Sequence, residues 1–106
     1  MELQITDESL SDDTTLLRLE GALDLVSRDQ ASSAGQQVLD AGRGLVLDLS
    51  QVSFMDSTGI GVLIGLSRSA EDAGTSFAIR NPSDRVQRVL SLTGLQGTWD
   101  EVDSSA

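Results

Sequence analysis

The sequence predicts a single α/β domain, with a mixed sheet of four to five strands and about three helices. Three observations carry this. An apolar run at residues 45–49, broken only by Asp48, has the length and composition of a buried strand. Directly after Asp56 the apolar spacing changes to a helical one. From Leu17 onward strand-like and helix-like stretches alternate, which implies parallel pairing through helical crossovers, while an N-terminal hairpin makes the sheet mixed.

Taken in order, Leu3 and Ile5 mark a first strand and Leu16, Leu17 and Leu19 a second. The polar, acidic residues 6–13 between them read as the hairpin connection. Gly21 then turns the chain out of the second strand, with Asp24 just beyond. Ser27 is placed to cap a helix whose first turn holds Asp29, and Ala31, Ala34, Val38 and Ala41 recur at helical spacing. Gly42 and Gly44 stop that helix. The central strand follows, then residues 51–55 as a short loop, then the helix that starts at Ser57.

Residues 76–80 give another strand, and Asn81, Pro82, Ser83 and Asp84 a turn with Ser83 as the next helix cap. Val86, Val89, Leu90 and Thr93 form the inward face of that last helix, which ends at Gly94 with Leu95 as apolar anchor. Thr98 and Trp99 are placed for a short final strand, and residues 101–106 for a frayed acidic tail.

The 106 residues suffice for one modest core, which must be aliphatic because only two Phe, one Trp and no Tyr are present. That scarcity, with a formal net charge of −10, argues against a nucleic-acid surface and against an anionic membrane. The N-terminus has neither a basic nor an apolar signal region, and the longest apolar stretch (residues 60–66) is too short to cross a bilayer. A cytoplasmic protein is the expectation. With no Cys and no His there are no disulfides, no zinc sites of those ligands and no imidazole base.

An enzyme reading finds little support. No phosphate-binding Gly-rich loop ending in Lys is present, no Lys at all, and no Gly-x-Ser-x-Gly elbow. Ser57 has no His to activate it, and the spacing of Asp24, Asp48 and Asp56 matches no known metal loop. Neither a catalytic site, a metal nor a cofactor is expected.

On a helical wheel Gly59, Ile60, Leu63, Leu66, Ser67 and Ala70 share a broad buried arc. Gly61, Gly65, Arg68 and Asp72 line the opposite side, bordered by Thr58 and Ser69, with Val62 leaning toward it. Each outward Gly is about 1 kcal/mol less favourable than Ala. Close approach of a partner backbone would explain the pair; so would packing against a neighbouring loop, or a neutral choice. A phosphate on Ser57 would add about −1.5 to −2 charges at a helix start that tolerates an anion, so its effect would fall on whatever docks there. Ser and Asp at this place are equally ordinary N-caps.

At these residues the chain resembles the STAS-domain family, and within it the bacterial anti-sigma factor antagonists. The resemblance runs over nearly the whole chain. It rests on Gly21-Ala22-Leu23-Asp24, on Leu47-Asp48-Leu49-Ser50 followed by Phe54-Met55-Asp56-Ser57-Thr58-Gly59-Ile60-Gly61-Val62-Leu63, and on Asn81-Pro82 with residues 88–95. It implies that Ser57 is phosphorylated by an anti-sigma factor that is also a serine kinase, with Thr58 a secondary candidate. The unphosphorylated form would bind that anti-sigma factor and free the sigma factor, and a metal-dependent serine phosphatase would restore it. Asp24 and Asp56 match acidic positions flanking the switch. With Ser57, Thr58, Gly61, Val62, Gly65 and Arg68 they make up the expected partner surface. The chain departs from the pattern at Ala22, where many members carry Glu. The competing role within the same fold is a constitutive scaffold of a signalling or transport complex, without phosphoregulation.

Overall fold

A computed structural model describes residues 2–102. The elements run β1 (Leu3–Ser11), β2 (Thr14–Leu23), α1 (Arg28–Asp40), β3 (Gly44–Met55), α2 (Ser57–Ala73), β4 (Phe77–Arg80), α3 (Asp84–Leu92) and β5 (Asp100–Val102). The five strands lie side by side in chain order; β1 is antiparallel to β2 and every later neighbour is parallel. The α/β architecture is the one expected.

Strand order that follows chain order has a consequence for the layers. Successive right-handed crossovers that step the same way across a sheet deposit their helices on the same face. The core reflects this: Ala31 and Leu39 of α1, Leu63 and Leu66 of α2, and Val86 and Leu90 of α3 pack with Leu17, Leu19, Leu45, Leu47, Leu49 and Ile79 of the sheet. Among the described residues the other face carries a small strand cluster of Leu16, Val46 and Ala78, with Val102 against it. Asp48 is on that helix-free face, buried between Arg18 (3.6 Å) and Arg80 (3.9 Å) on the flanking strands. It also accepts hydrogen bonds from the Ser50 amide and hydroxyl.

Several boundaries differ from expectation. Residues 6–11 are not a connection but the rest of β1, paired with β2 as far as Ser11 with Thr14. As an edge strand with one face left open by the helices, β1 has no need of apolar alternation. Gly21 does not end β2 but lies inside it, at φ +113°, where a Cβ would collide with the Glu2 carbonyl. Residues 51–55 are not a loop; they continue β3 against the end of β2, through Gly21 with Val52 and Leu23 with Met55.

The phase of α1 is also turned by one residue. Ala31, Gly35 and Leu39 are buried, Ala34 and Val38 are half-buried, and Ala41 is an exposed C-cap. Gly35 sets this phase, because a Cβ there would meet the Leu66 methyls at 2.7 and 2.8 Å. Its absence lets α1 and α2 cross closely. Thr93, expected on the inward face of α3, is an exposed C-cap whose hydroxyl donates to Val89 O. Glu101 and Val102, expected in a frayed tail, pair with β4 as part of β5; residues 103–106 lie outside the described residues. The final strand thus starts just after Trp99, whose ring packs edge-on against Phe77 at 6.3 Å.

Ser83 caps α3 as expected, accepting from Val86 N and donating to Val52 O. Gly94, at φ +73°, and Leu95 return their amides to Ser91 and Leu90, which completes the ending foreseen for this helix. Among the described residues no helix is long and apolar enough to cross a membrane.

Candidate functional site

The site forms where β2 and β3 leave the sheet. Their last registered pair is Leu23 with Met55, so Asp24 and Asp56 emerge side by side. Each then bonds back onto the chain that follows. Asp56 has extended backbone and its Oδ1 accepts from Thr58 N at 2.9 Å, which makes it the N-cap of α2. Ser57 is therefore the first helical residue rather than the cap. It is exposed, and its hydroxyl makes no hydrogen bond within the described residues. The cap is thus supplied by Asp56, and the Ser57 hydroxyl takes no part in it.

Asp24 plays the matching part in the loop before α1. Its Oδ1 accepts from Val26 N at 3.0 Å and Ser27 N at 3.2 Å. Ser27 occupies the N-cap position of α1 but does not cap it; its buried hydroxyl donates to Ala22 O at 2.7 Å and accepts from Asp24 N at 3.0 Å. The hydroxyl is spent on fixing the loop. Ala22, at the position where a Glu is common in the resembling family, is fully buried in β2.

Helix α2 presents its faces largely as the wheel places them. Gly59, Ile60, Leu63, Leu66 and Ala70 are buried, and Gly61, Gly65, Arg68 and Asp72 are exposed. Nothing stands within 4 Å of where a Cβ on Gly61 or Gly65 would be, so no loop of the described chain explains either glycine. Val62 departs from expectation. It is only 6 % exposed and packs with the core, because α1 closes over that side of the helix.

Between α1 and α2 runs a trough. Its upper part, about 490 Å³, is lined by Arg28, Asp29 and Ser32 of α1 with Ser57, Thr58, Gly61 and Val62 of α2. Its lower part, about 330 Å³, shares Ser32, Gly61 and Val62 and continues past Gly65 to Ser69. Ser57 stands at the mouth, and small residues from both helices make the walls. The arrangement can admit a protein segment, and among the described residues no carboxylate is hydrogen-bonded to Ser57 Oγ. Asp48, on the other face of the sheet, does not join Asp24 and Asp56, so the three aspartates do not converge on a metal. The α1 side of the trough was missed in the sequence, where Arg28 and Ser32 look like any exposed helical polar residue.

A profile of the STAS domain family matches residues 7–104. The chain belongs to the STAS domain family. Among relatives of known role, the anti-sigma-B factor antagonist of Bacillus subtilis is 32 % identical over 90 residues, spanning 85 % of this chain and 80 % of that protein. Among solved structures, the anti-sigma factor antagonist SpoIIAA in its unphosphorylated form superposes with a TM-score of 0.78 at 27 % identity, covering 95 % of this chain and 88 % of that one. The Bacillus cell fate determinant SpoIIAA in the phosphorylated form gives a TM-score of 0.73 at 27 % identity, covering 95 % and 91 %. This STAS domain thus shares its fold with a protein solved in both an unphosphorylated and a phosphorylated form.

Proposed function

We propose that this STAS domain is an anti-sigma factor antagonist, a cytoplasmic binding protein rather than an enzyme. Unphosphorylated, it docks an anti-sigma factor that is also a serine kinase, over the first turns of α2 and the trough beside them, and so releases a sigma factor. Phosphorylation of Ser57 ends the docking; a metal-dependent serine phosphatase restores it. The names of the relatives and the two forms of SpoIIAA support this reading.

The observation that carries it is the position of Ser57: exposed, with no hydrogen bond to its hydroxyl among the described residues, and next to the capping Asp56 at the mouth of a trough walled by exposed glycines. A phosphate there gains from the free amides and dipole at the start of α2, so the domain keeps its fold. An incoming partner meets added bulk and about two more negative charges beside Asp24, Asp29 and Asp56. The switch acts on the neighbour, not on the domain. Asp24, Thr58, Gly61, Gly65 and Arg68 lie on the docking surface, with Val62 as buried floor.

The test is incubation with ATP and the cognate kinase, followed by intact mass and a pull-down comparing wild type with Ser57→Ala and Ser57→Asp. Ser57→Ala should bind without being switched off and Ser57→Asp should bind poorly. A mass that stays unchanged while the kinase phosphorylates a control protein would favour the constitutive scaffold.

A further inference from the structure

Leu25 and Val26 are consecutive and 66 % and 89 % exposed, which sets them apart from the scattered Leu10 and Leu92 among the large exposed apolar side chains. Single exposed apolar residues are ordinary. This pair is different because its backbone is held in place. Asp24 Oδ1 accepts from the Val26 and Ser27 amides, while Ser27 Oγ bridges Ala22 O and Asp24 N. The loop is thereby fixed with both apolar side chains facing water, and the constraint opposes their folding back onto the core.

Both ends of the loop lie against the start of α2. Before it, the Leu23 carbonyl is 3.0 Å from where a Cβ on Gly59 would stand. After it, Arg28 and Asp29 share the trough mouth with Ser57 and Thr58. Leu25 and Val26 are therefore held at the same end of the molecule as Ser57. Among the described residues, the charged groups on this loop and at the trough mouth include the Asp24, Asp29 and Asp56 carboxylates and the Arg28 guanidinium, itself 3.7 Å from Asp29, while Arg85 is stacked on the Phe54 ring at 4.8 Å.

We propose that Leu25 and Val26 form an apolar anchor for the partner that Ser57 controls, entering an apolar pocket of that protein rimmed by Arg or Lys. The proposal rests on the anti-sigma factor reading above and adds where the attraction comes from. Charge complementarity names the occupant: an acidic rim around an apolar knob fits a basic rim around an apolar hollow, and disfavours a second copy of a chain with net charge −10. Asp24 is then a positioning residue as well as part of the rim, because it holds the knob outward. A phosphate on Ser57 would sit beside the knob and make a desolvated seat there unfavourable.

The probe is the set of anti-sigma factors encoded by the source genome, each purified and titrated calorimetrically against the whole domain. Wild type should bind one of them. For that one, Leu25→Ser with Val26→Ser should raise Kd about 10- to 100-fold, and Leu92→Ser should leave it within about twofold. The melting temperature of the double variant should match wild type, since the side chains are exposed; Val26→Ser alone keeps the comparison open if the pair folds poorly. If wild type binds and the double variant binds equally well, the anchor is overturned while the antagonist reading stands. If wild type binds none, both fall. If sedimentation shows a wild-type dimer that the double variant abolishes, the knob belongs to a second copy and the proposal is overturned.

Discussion

A Cβ on Gly59 would stand 3.0 Å from the carbonyl oxygen of Leu23 and would also run into the side chain of Met55. The first turn of α2 is thus pressed against the ends of β2 and β3, and this contact fixes where Ser57 points. Gly59→Ala should destabilise the domain by about 1–2 kcal/mol, the overpacking cost exceeding the gain in helix propensity. The melting temperature should fall by about 4–15 °C. A melt no lower than wild type would mean that the turn can shift at little cost.

Gly61 and Gly65 should behave in the opposite way. Nothing crowds them, so Gly61→Arg should raise stability by about 0.5–1 kcal/mol through helix propensity alone. The same variant should bind the partner at least tenfold more weakly, since the new side chain fills the trough. Thermal melting and calorimetry on one preparation check both signs. A stabler domain with undiminished affinity would move the interface away from α2.

Asp24 has two separable jobs. Asp24→Asn keeps the side-chain oxygen that receives the Val26 and Ser27 amides, so its melting temperature should stay near that of wild type. Asp24→Ala loses those acceptor bonds and should cost about 1 kcal/mol. Binding should weaken in both variants, because a basic partner face reads the charge as well as the loop shape. Full affinity in Asp24→Asn would leave the carboxylate with a positioning role alone.

Asp48 holds two arginines on the helix-free face. Asp48→Ala would remove the Ser50 bonds and leave Arg80, whose side chain is 14 % exposed, facing Arg18 without the carboxylate between them. A loss of about 2–3 kcal/mol is expected in chemical denaturation, below the roughly 3–5 kcal/mol of breaking a fully buried pair, because both contacts exceed 3.5 Å and the Arg18 side chain is partly exposed. Anti-sigma factor affinity, measured where the variant is still folded, should not change.

Arg43 clamps the hairpin from the start of β3. Its guanidinium donates to Thr15 Oγ1, Ser9 Oγ and the carbonyls of Asp12, Ser11 and Thr14. Arg43→Met should cost about 1–2 kcal/mol and speed amide exchange in residues 9–15 first. The turn also has an acid sensitivity. Hydroxyl donors from Ser11 and then Thr14 hold the Asp13 carboxyl below its ordinary range. A carboxylate depressed in the folded state stabilises above its unfolded pKa, near 4, and loses that effect as pH falls through the folded value. Protection at the hairpin tip, taken as exchange relative to the intrinsic amide rate at the same pH, should therefore fall at acid pH, and less so in Asp13→Asn.

By itself the sequence determined the alternation of strands and helices, the inward arc of α2, the Ser83 cap and the Gly94 ending of α3. Each is a local matter: apolar spacing follows from 3.6 residues per turn, and caps follow from backbone groups left free at helix ends. It also marked Ser57 and the exposed glycines, since a hydroxyl and a missing side chain at a helix start are visible without neighbours. Only the tertiary structure decided the rest. Residues 51–55 became strand because β2 reaches far enough to pair with them, and α1 turned by one residue because Gly35 receives Leu66. The exposure of Leu25 and Val26 was hidden for the same reason. An apolar letter states a preference for burial, but whether it is buried depends on what the rest of the chain brings against it.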